Sequence, residues 1–497
     1  MTPNVDEPAQ PAQPAASTFR LGFENATPEP LGGELAWTGK PLPDWLDGAV
    51  LVRNGPGLFH LAEERMRHWF DGLALLNRFE FSAGAVRYRS AYLASREYVE
   101  STRTGRAQFT EFGTAPKRSL WRRLGLVARP RNLFGDNASV NVIPVNGEWW
   151  ALWDVPNSMR LDGQTLATIG PRAERFDHRA VIRTPHPIRD EEGDQWINVG
   201  VGFTLRGPAY TVMSSREPTM EMEHLVSIPS WTPAYLHSFA MSRRHLVITE
   251  HSFGPTVGGG INLLLGSKPL ADSCRWRRRH RTRLLVVDRD VWKVVQRIEI
   301  DPVAVLHHVN AFEDADGILH VDVCAFSDRE VINRLFFRFL DRPDGGCLAR
   351  GTLQRYSIDV RAGTASVRAL TSVPLEMPFF DRRRAGLAYR YAYGVSMARD
   401  NDFNDELVKV DLHSAETTSY FEAGTYPGEP IFVARPGSDA EDDGVVLSLV
   451  LDANRGCSFL VALDARSFTE LGRARLPHMV PHGLHGTLTL ADHGGAR

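Results

Sequence analysis

The sequence predicts an all-β fold in which many short strands close into a barrel or radiate around an axis. After residue 140 the chain repeats short apolar, β-branched stretches, such as 196–203, 245–251, 283–290, 445–452 and 458–465. Gly, Asp, Asn or Arg residues bound each stretch, and 42 glycines and 31 prolines supply turns. Long helical periodicity is scarce. Regularly spaced short strands of this kind are typical of closed or radial β architectures.

The composition is that of a soluble globular protein, with 43% hydrophobic and 24% charged residues. The formal net charge of −3 gives no reason to expect a nucleic-acid partner. Four cysteines in 497 residues are too few for a disulfide framework, so reduced thiols and a cytoplasmic location are expected. Although this length suggests several domains, an all-β fold can extend as one, and we expect a single domain over 18–497.

Three segments depart from the strand pattern. Residues 1–17 are rich in Pro and Ala, lack the apolar region of a secretory signal, and are predicted to form a disordered leader. Residues 115–133 are basic and amphipathic, and residues 254–281 pass from an apolar, Gly-rich stretch to a basic one. Both are predicted to be cap insertions. Since no apolar run reaches about 18 residues, no membrane span is expected.

Four of the 17 histidines lie in short, distinctive contexts that are far apart in the chain. They are His186 in TPHPIRD, His237 in YLHSFAM, His307 in LHHVNAFE and His485 in HGLHGTL. Only a fold that returns repeatedly to one axis could bring them together. Blades of about 50–60 residues would separate them by one, one and three blade steps. If they converge, four neutral imidazoles suit iron, zinc, copper or nickel.

Several blocks, in order, resemble the carotenoid cleavage oxygenase family over about residues 30–495. The blocks are RNGPGLF (53–59), HWFDGLALLNRFEF (68–81), SAYLASREYVES (90–101) with FTEFGT (109–114), residues 306–324, residues 428–450 and HGLHGT (482–487). The N-terminal blocks are most similar to the animal β-carotene oxygenases. The resemblance implies a seven-bladed β-propeller with a cap of loops and short helices over an axial metal site.

The resemblance also implies the composition of that site. One Fe(II) per chain would be held by His186, His237, His307 and His485, and His308 and His482 would be structural or support the ligands. Carboxylates would orient three of the four ligands, by motif Glu376, Glu429 and Asp154. The family usually has Glu where this chain has Asp154. Because Asp is one methylene shorter, its bond to histidine could fail, shift the backbone or pass through a water.

The substrate implied is a carotenoid or apocarotenoid, which needs an apolar tunnel with few hydrogen bonds. The tunnel is expected to be lined by Phe70, Phe112, Trp153, Tyr235 and Leu306. For Trp149 and Trp150 ordinary core packing is favoured. Because carotenoids are almost insoluble in water, the insertions at 115–133 and 254–281 could dip into a membrane surface, giving peripheral attachment; packed loops with solvated charges are the alternative.

The activity implied is insertion of O2 across a conjugated C=C bond to give two carbonyl products, with retinal from central cleavage as the first candidate. Cleavage of a stilbene-type phenol is less favoured, because residues 126–137 contain no lysine and only Lys117 lies upstream. A non-catalytic metal-binding propeller and a metal-dependent isomerase or hydrolase remain alternatives.

Overall fold

The computed structural model describes residues 18–27, 31–119, 121, 125, 134–155, 158–172, 181–277, 279–342, 348–399 and 402–491. The predicted leader at 1–17 and most of the predicted insertion at 115–133 lie outside these residues. The chain forms a seven-bladed β-propeller, with 48% of residues in strands and 10% in helices, so the predicted fold class is confirmed.

The strands, in chain order, are β1 (Leu31–Leu35), β2 (Trp37–Gly39), β3 (Val50–Leu58), β4 (Leu73–Ser82), β5 (Ala85–Tyr92), β6 (Asn141–Val145), β7 (Glu148–Leu152), β8 (Met159–Asp162), β9 (Thr168–Pro171), β10 (Ile182–Arg183), β11 (Ile188–Asp190), β12 (Gln195–Thr204), β13 (Gly207–Ser215), β14 (Glu223–Pro229), β15 (Ala240–Met241), β16 (His245–Glu250), β17 (Phe253–Pro255), β18 (Cys274–Trp276), β19 (Thr282–Asp288), β20 (Lys293–Ile300), β21 (Ala304–Glu313), β22 (Leu319–Phe326), β23 (Thr352–Asp359), β24 (Thr364–Pro374), β25 (Glu376–Phe380), β26 (Tyr391–Ser396), β27 (Glu406–Asp411), β28 (Thr417–Phe421), β29 (Thr425–Pro427), β30 (Ile431–Ala434), β31 (Gly444–Asp452), β32 (Cys457–Asp464), β33 (Glu470–Arg475) and β34 (Gly486–Thr489). The α-helices are α1 (Arg96–Thr104), α2 (Val257–Leu264), α3 (Leu270–Ser273), α4 (Glu330–Asn333) and α5 (Phe337–Leu340). Short 3-10 turns cover Thr18–Phe23, Asp44–Leu46, Trp69–Asp71 and Arg382–Arg384.

Each blade is an antiparallel sheet. Blade 1 has the order β1-β5-β4-β3-β34, blade 2 is β6-β7-β8-β9, and blade 3 is β10-β12-β13-β14 with β11 beside β12. Blade 4 is β15-β16-β19-β20, blade 5 is β21-β22-β23-β24 and blade 6 is β25-β26-β27-β28. Blade 7 is β2-β33-β32-β31-β29 with β30 beside β31. The ring therefore closes at both chain ends, because β34 pairs with β3 and β2 pairs with β33.

Burial along the strands follows their place in a blade. The middle strand β31 is buried along almost its whole length, because neighbouring blades cover both of its faces. The outer strand β20 instead alternates between exposed and covered residues, as expected when one face meets water. A continuous apolar run thus marks a middle strand of a blade, and an alternating run marks an outer strand.

The cap consists of connections on the face where the chain enters the innermost strands. The connection between β16 and β19 holds the ribbon β17–β18 with α2 and α3, and the predicted insertion at 254–281 falls in this connection. The connection between β22 and β23 holds α4 and α5. Backbone bonds join the parts of the cap, such as Ala271 N–H to Phe112 O at 2.8 Å. Within the described ranges, no helix combines the length and apolar character needed to cross a bilayer.

Candidate metal centre

Four blades each bring one histidine to the axis. His186 lies between β10 and β11, His237 precedes β15, His307 lies within β21 and His485 directly precedes β34. One ring nitrogen of each lies within 4.8 Å of those of the other three. The Nε2 atoms of His186 and His237 are 3.3 Å apart, and those of His307 and His485 are 3.2 Å apart. The four histidines of the sequence prediction therefore converge on one point.

Carboxylates fix the orientation of three of these rings. His307 Nδ1–H donates to Glu376 Oε2 at 2.5 Å, and His485 Nδ1–H donates to Glu429 Oε1 at 2.8 Å. His237 Nδ1–H donates to Asp154 Oδ1 at 3.3 Å. With its proton held at Nδ1, each ring directs the lone pair of Nε2 at the axis. Lone pairs converging at such distances repel one another unless a cation lies between them, so the site fits a metal ion.

The Glu429 carboxylate belongs to a buried network that crosses the closure of the ring. Arg53 Nη1 donates to Glu429 Oε2 at 2.6 Å, and the Gly486 amide donates to the same oxygen at 3.0 Å. Arg53 Nη2 also donates to Leu484 O at 2.8 Å. Burial raises the pKa of Glu429, and the positive charge of Arg53 opposes that rise. Arg53 was not predicted as a site residue, although it opens the RNGPGLF block.

Asp154 is the weakest of the three carboxylate partners. Its 3.3 Å bond to His237 is direct, so the shorter side chain still reaches the ring, but it lies at the long end of the hydrogen-bonding range. Tyr235 Oη–H donates to the other oxygen, Asp154 Oδ2, at 3.1 Å. Tyr235 is thus a partner of the Asp154 carboxylate. Among the described residues, no carboxylate is hydrogen-bonded to His186.

Burial and mutual repulsion favour the neutral form of two of the imidazoles. The pKa values of His186 and His485 lie well below the usual range, chiefly because of burial and then because of the neighbouring rings. Burial also lowers the pKa of His307, but the charge of Glu376, its hydrogen bond to the ring and the charge of Glu429 together outweigh burial, and the net direction is upward. Neutral imidazole is the form that binds a metal ion.

An apolar pocket of about 70 Å³ borders the histidines on the cap side and is called the cap pocket below. It is lined by Trp69, Phe70, Val140, His237, Leu306, His307, Phe326, Val331, Leu335, Leu348, Ala349, Glu376, Met377, Asn404, Leu484 and His485. Two of the five predicted tunnel residues, Phe70 and Leu306, lie on this wall. Phe112 packs behind Phe70, with ring centroids 5.4 Å apart, and Trp153 is buried in the core.

A larger cavity of about 570 Å³ runs along the axis on the side away from the cap, and we call it the axial cavity. Its wall includes His186, His307 and His485 and continues along the innermost strands. Arg382 also lines it, and no sequence pattern had singled that residue out.

The other two histidines considered in the sequence point away from the cluster. His308 Nδ1 lies 2.8 Å from Ser238 Oγ, and its Nε2 lies 2.8 Å from Thr249 Oγ1. His482 Nε2–H donates to Phe19 O at 2.9 Å. Both are hydrogen-bonded inside the protein, as the prediction of a structural role requires.

The fold and this cluster define a β-propeller with an all-imidazole metal site on its axis. A sequence model of the retinal pigment epithelial membrane protein family matches residues 23–489. The chain belongs to this family, which is the carotenoid oxygenase family.

Individual relatives agree with that assignment. A carotenoid isomerooxygenase of Galleria mellonella is 31% identical over 93% of this chain and 94% of its own length. The β,β-carotene 15,15'-dioxygenase of Homo sapiens is 28% identical over 90% of this chain and 91% of its own. Among solved structures, a variant of the Synechocystis apocarotenoid oxygenase is 25% identical, with a TM-score of 0.81 and coverage of 95% and 98%. The same Synechocystis enzyme has been crystallised in a cobalt-substituted form.

Proposed function

We propose that this protein is a non-haem Fe(II) dioxygenase that uses O2 to cleave a conjugated C=C bond of a carotenoid or apocarotenoid into two carbonyl products. The observation that carries the proposal is the convergence of four imidazoles, without a carboxylate among them, beside an apolar pocket. The names of the relatives support the same substrate class. Retinal, the product of central cleavage, is our first candidate.

His186, His237, His307 and His485 would hold the iron, and Glu376, Glu429 and Asp154 would keep three of the rings in place. When bound, Fe(II) supplies the reactivity toward dioxygen that no side chain of this site provides. Neutral ligands leave the ion's charge uncompensated, which distinguishes this site from one with carboxylate ligands.

The remaining residues of the site act by position. The apolar walls of the cap pocket exclude water and bind a polyene by burying its surface, with about 0.8 kcal/mol for each buried CH2 group. Phe70 and Leu306 lie on the wall next to His237 and His307, so they would set which double bond lies beside the metal. Among the described residues of the pocket wall, the one carboxylate is Glu376, which accepts from His307 through Oε2. The reaction proposed needs no general acid or base.

We also propose that the protein collects its substrate at a membrane surface while remaining cytoplasmic. Large apolar side chains are exposed in or beside the two predicted insertions. Trp121 is 82% exposed, and Ile261 of α2 is 54% exposed. Trp231, which is 77% exposed, lies in the segment that leads into His237. A sparse set of this kind suits interfacial attachment. Sedimentation with lipid vesicles should fall when Trp231 and Ile261 are both changed to Ser, and unchanged sedimentation would contradict attachment.

The decisive experiment measures metal content and products together. Purified protein should contain about one iron per chain, and incubation with β-carotene or an apocarotenal under ¹⁸O2 should give two labelled carbonyl compounds by chromatography and mass spectrometry. Iron-free protein that cannot be loaded would favour a non-catalytic propeller. Unlabelled products would favour an isomerase or hydrolase, and cleavage of a stilbene alone would replace the carotenoid as substrate.

The name of the Galleria mellonella relative favours one further candidate activity, in which cleavage is coupled to isomerisation of the polyene. The same chromatograms test it, because cis and trans products separate. An all-trans product from an all-trans substrate would exclude isomerisation.

A further inference from the structure

The axial cavity contains a positive charge close to the histidines. Arg382 lies in the 3-10 turn that follows β25, and its side chain lines the cavity. Its guanidinium carbon is 4.6 Å from the ring centroid of Phe379 and 4.8 Å from that of Phe380. These two rings attract the guanidinium group, as cation–π contacts do.

The side chain of Arg382 is exposed, and it lines the axial cavity. The protein atoms packed around the cavity nevertheless lower the pKa of this guanidinium. Its charge also contributes to the low pKa values of His186 and His485, so it lies within electrostatic reach of both rings.

No counterion balances this charge among the described residues. Arg382 forms only the two ring contacts, whereas Arg383 beside it is paired with Asp381 at 2.7 Å. The negative charge of Glu429 acts on Arg382 and opposes the lowering of its pKa. The oxygens of Glu429 are already bonded to Arg53, His485 and the Gly486 amide. An arginine that lines a cavity without a partner leaves its N–H donors free to bind an added anion.

We propose that Arg382 makes the axial cavity a binding site for a small carboxylate-type anion, on the side of the four histidines away from the cap. A planar guanidinium with its fork of N–H donors matches a carboxylate better than a point charge does. A cation held by the histidines on the same wall would strengthen the attraction. The cap pocket keeps its apolar lining, so the anion and an apolar substrate would occupy opposite sides of the centre. This inference does not depend on cleavage of a polyene.

Formate is a suitable probe, and formamide is its neutral isostere. Calorimetric titration in a halide-free zwitterionic buffer should show one formate per chain and much weaker binding of formamide. Arg382→Gln should weaken formate binding by about tenfold or more, because it removes a charge-assisted bond. The formate affinity of Arg382→Lys should lie between those of the wild type and Arg382→Gln, because lysine keeps the charge but lacks the paired N–H donors of the guanidinium group. A crystal soaked in bromide should show an anomalous peak beside Arg382 in the wild type alone.

The matched control is Arg435→Gln, which removes the same charge from the wall of the same cavity, at a residue with no ring contact among the described residues, and should change formate binding by less than twofold. Titrations of metal-free and metal-loaded protein separate this site from direct ligation. If formate binds only to the loaded form and Arg382→Gln leaves its affinity unchanged, the anion is a metal ligand and the proposal is wrong. Equal binding of formate and formamide would also overturn it. Circular dichroism of each variant checks that the fold is intact.

Discussion

Asp154 provides the sharpest test of how this centre holds its metal. Its carboxylate accepts from His237 at 3.3 Å, whereas Glu429 accepts from His485 at 2.8 Å. Loss of such a partner typically reduces metal affinity or activity by about 10–100-fold, or about 1.4–2.8 kcal/mol. Because the bond of Asp154 is long, Asp154→Ala should fall at the lower end of that range.

The assay is competition for the metal with a chelator, followed by turnover at saturating metal. Asp154→Glu should keep both affinity and turnover, because the added methylene brings the carboxylate closer to His237. Tyr235→Phe removes the 3.1 Å bond to Asp154 Oδ2 and should have a smaller effect than Asp154→Ala. In the double variant the two effects should not add, because Tyr235 acts through Asp154. An Asp154→Ala protein with unaltered iron occupancy and turnover would remove Asp154 from the site.

Three further changes test neighbouring features. Glu429→Ala should destabilise the protein by about 3–5 kcal/mol, because it leaves Arg53 buried without its partner, and a denaturation midpoint equal to that of the wild type would contradict this. Met377 has a φ of 46°, and its amide N–H donates to Glu376 Oε2 at 2.5 Å. A β-branched residue disfavours this backbone conformation and glycine allows it, so Met377→Val should reduce metal affinity by about tenfold in chelator competition, whereas Met377→Gly should keep it. Equal affinities of the two variants would show that this backbone conformation does not orient Glu376. Burial raises the pKa of Glu97 from 4.5 to about 8, so its stabilising contribution is present below pH 4.5 and is lost as the pH rises through about 8. The melting temperature of the wild type should therefore decrease between pH 5 and 9, and that of Glu97→Gln should decrease less. Parallel curves for the two proteins would refute this prediction.

The strands could be predicted from the sequence because each one is a local pattern of residues. The predicted stretch 445–452 lies within β31 (Gly444–Asp452), and 196–203 lies within β12 (Gln195–Thr204). The convergence of the histidines was predictable in outline, since four distant motifs imply one axis. The distances between the histidine rings and their carboxylate partners, which decide the chemistry of the site, could not be predicted. The bond between Asp154 and His237 depends on how two blades pack, which no local pattern encodes.

Other parts of the site had no sequence signal of their own. Arg53 reaches Glu429 only because β34 returns to pair with β3, a contact between the two ends of the chain. Met377 takes a positive φ that no sequence rule assigns to methionine. Arg382 lies among three consecutive arginines, and only the fold turns it toward the cavity. Tyr235 was expected in the tunnel, yet its hydroxyl is bonded to Asp154.

Closure of the propeller and convergence of the four histidines depend on the same strand pairing. His485 directly precedes β34, and pairing of β34 with β3 completes blade 1. The same closure brings Arg53 of β3 to Glu429, which orients His485. Until β34 is in place, His186, His237 and His307 lack the fourth ring. Because a metal ion binds the closed ring more tightly than the open one, its binding energy adds to the stability of the closure. Metal-free protein should therefore open first at β34, and hydrogen exchange in residues 486–489 should slow when metal is added.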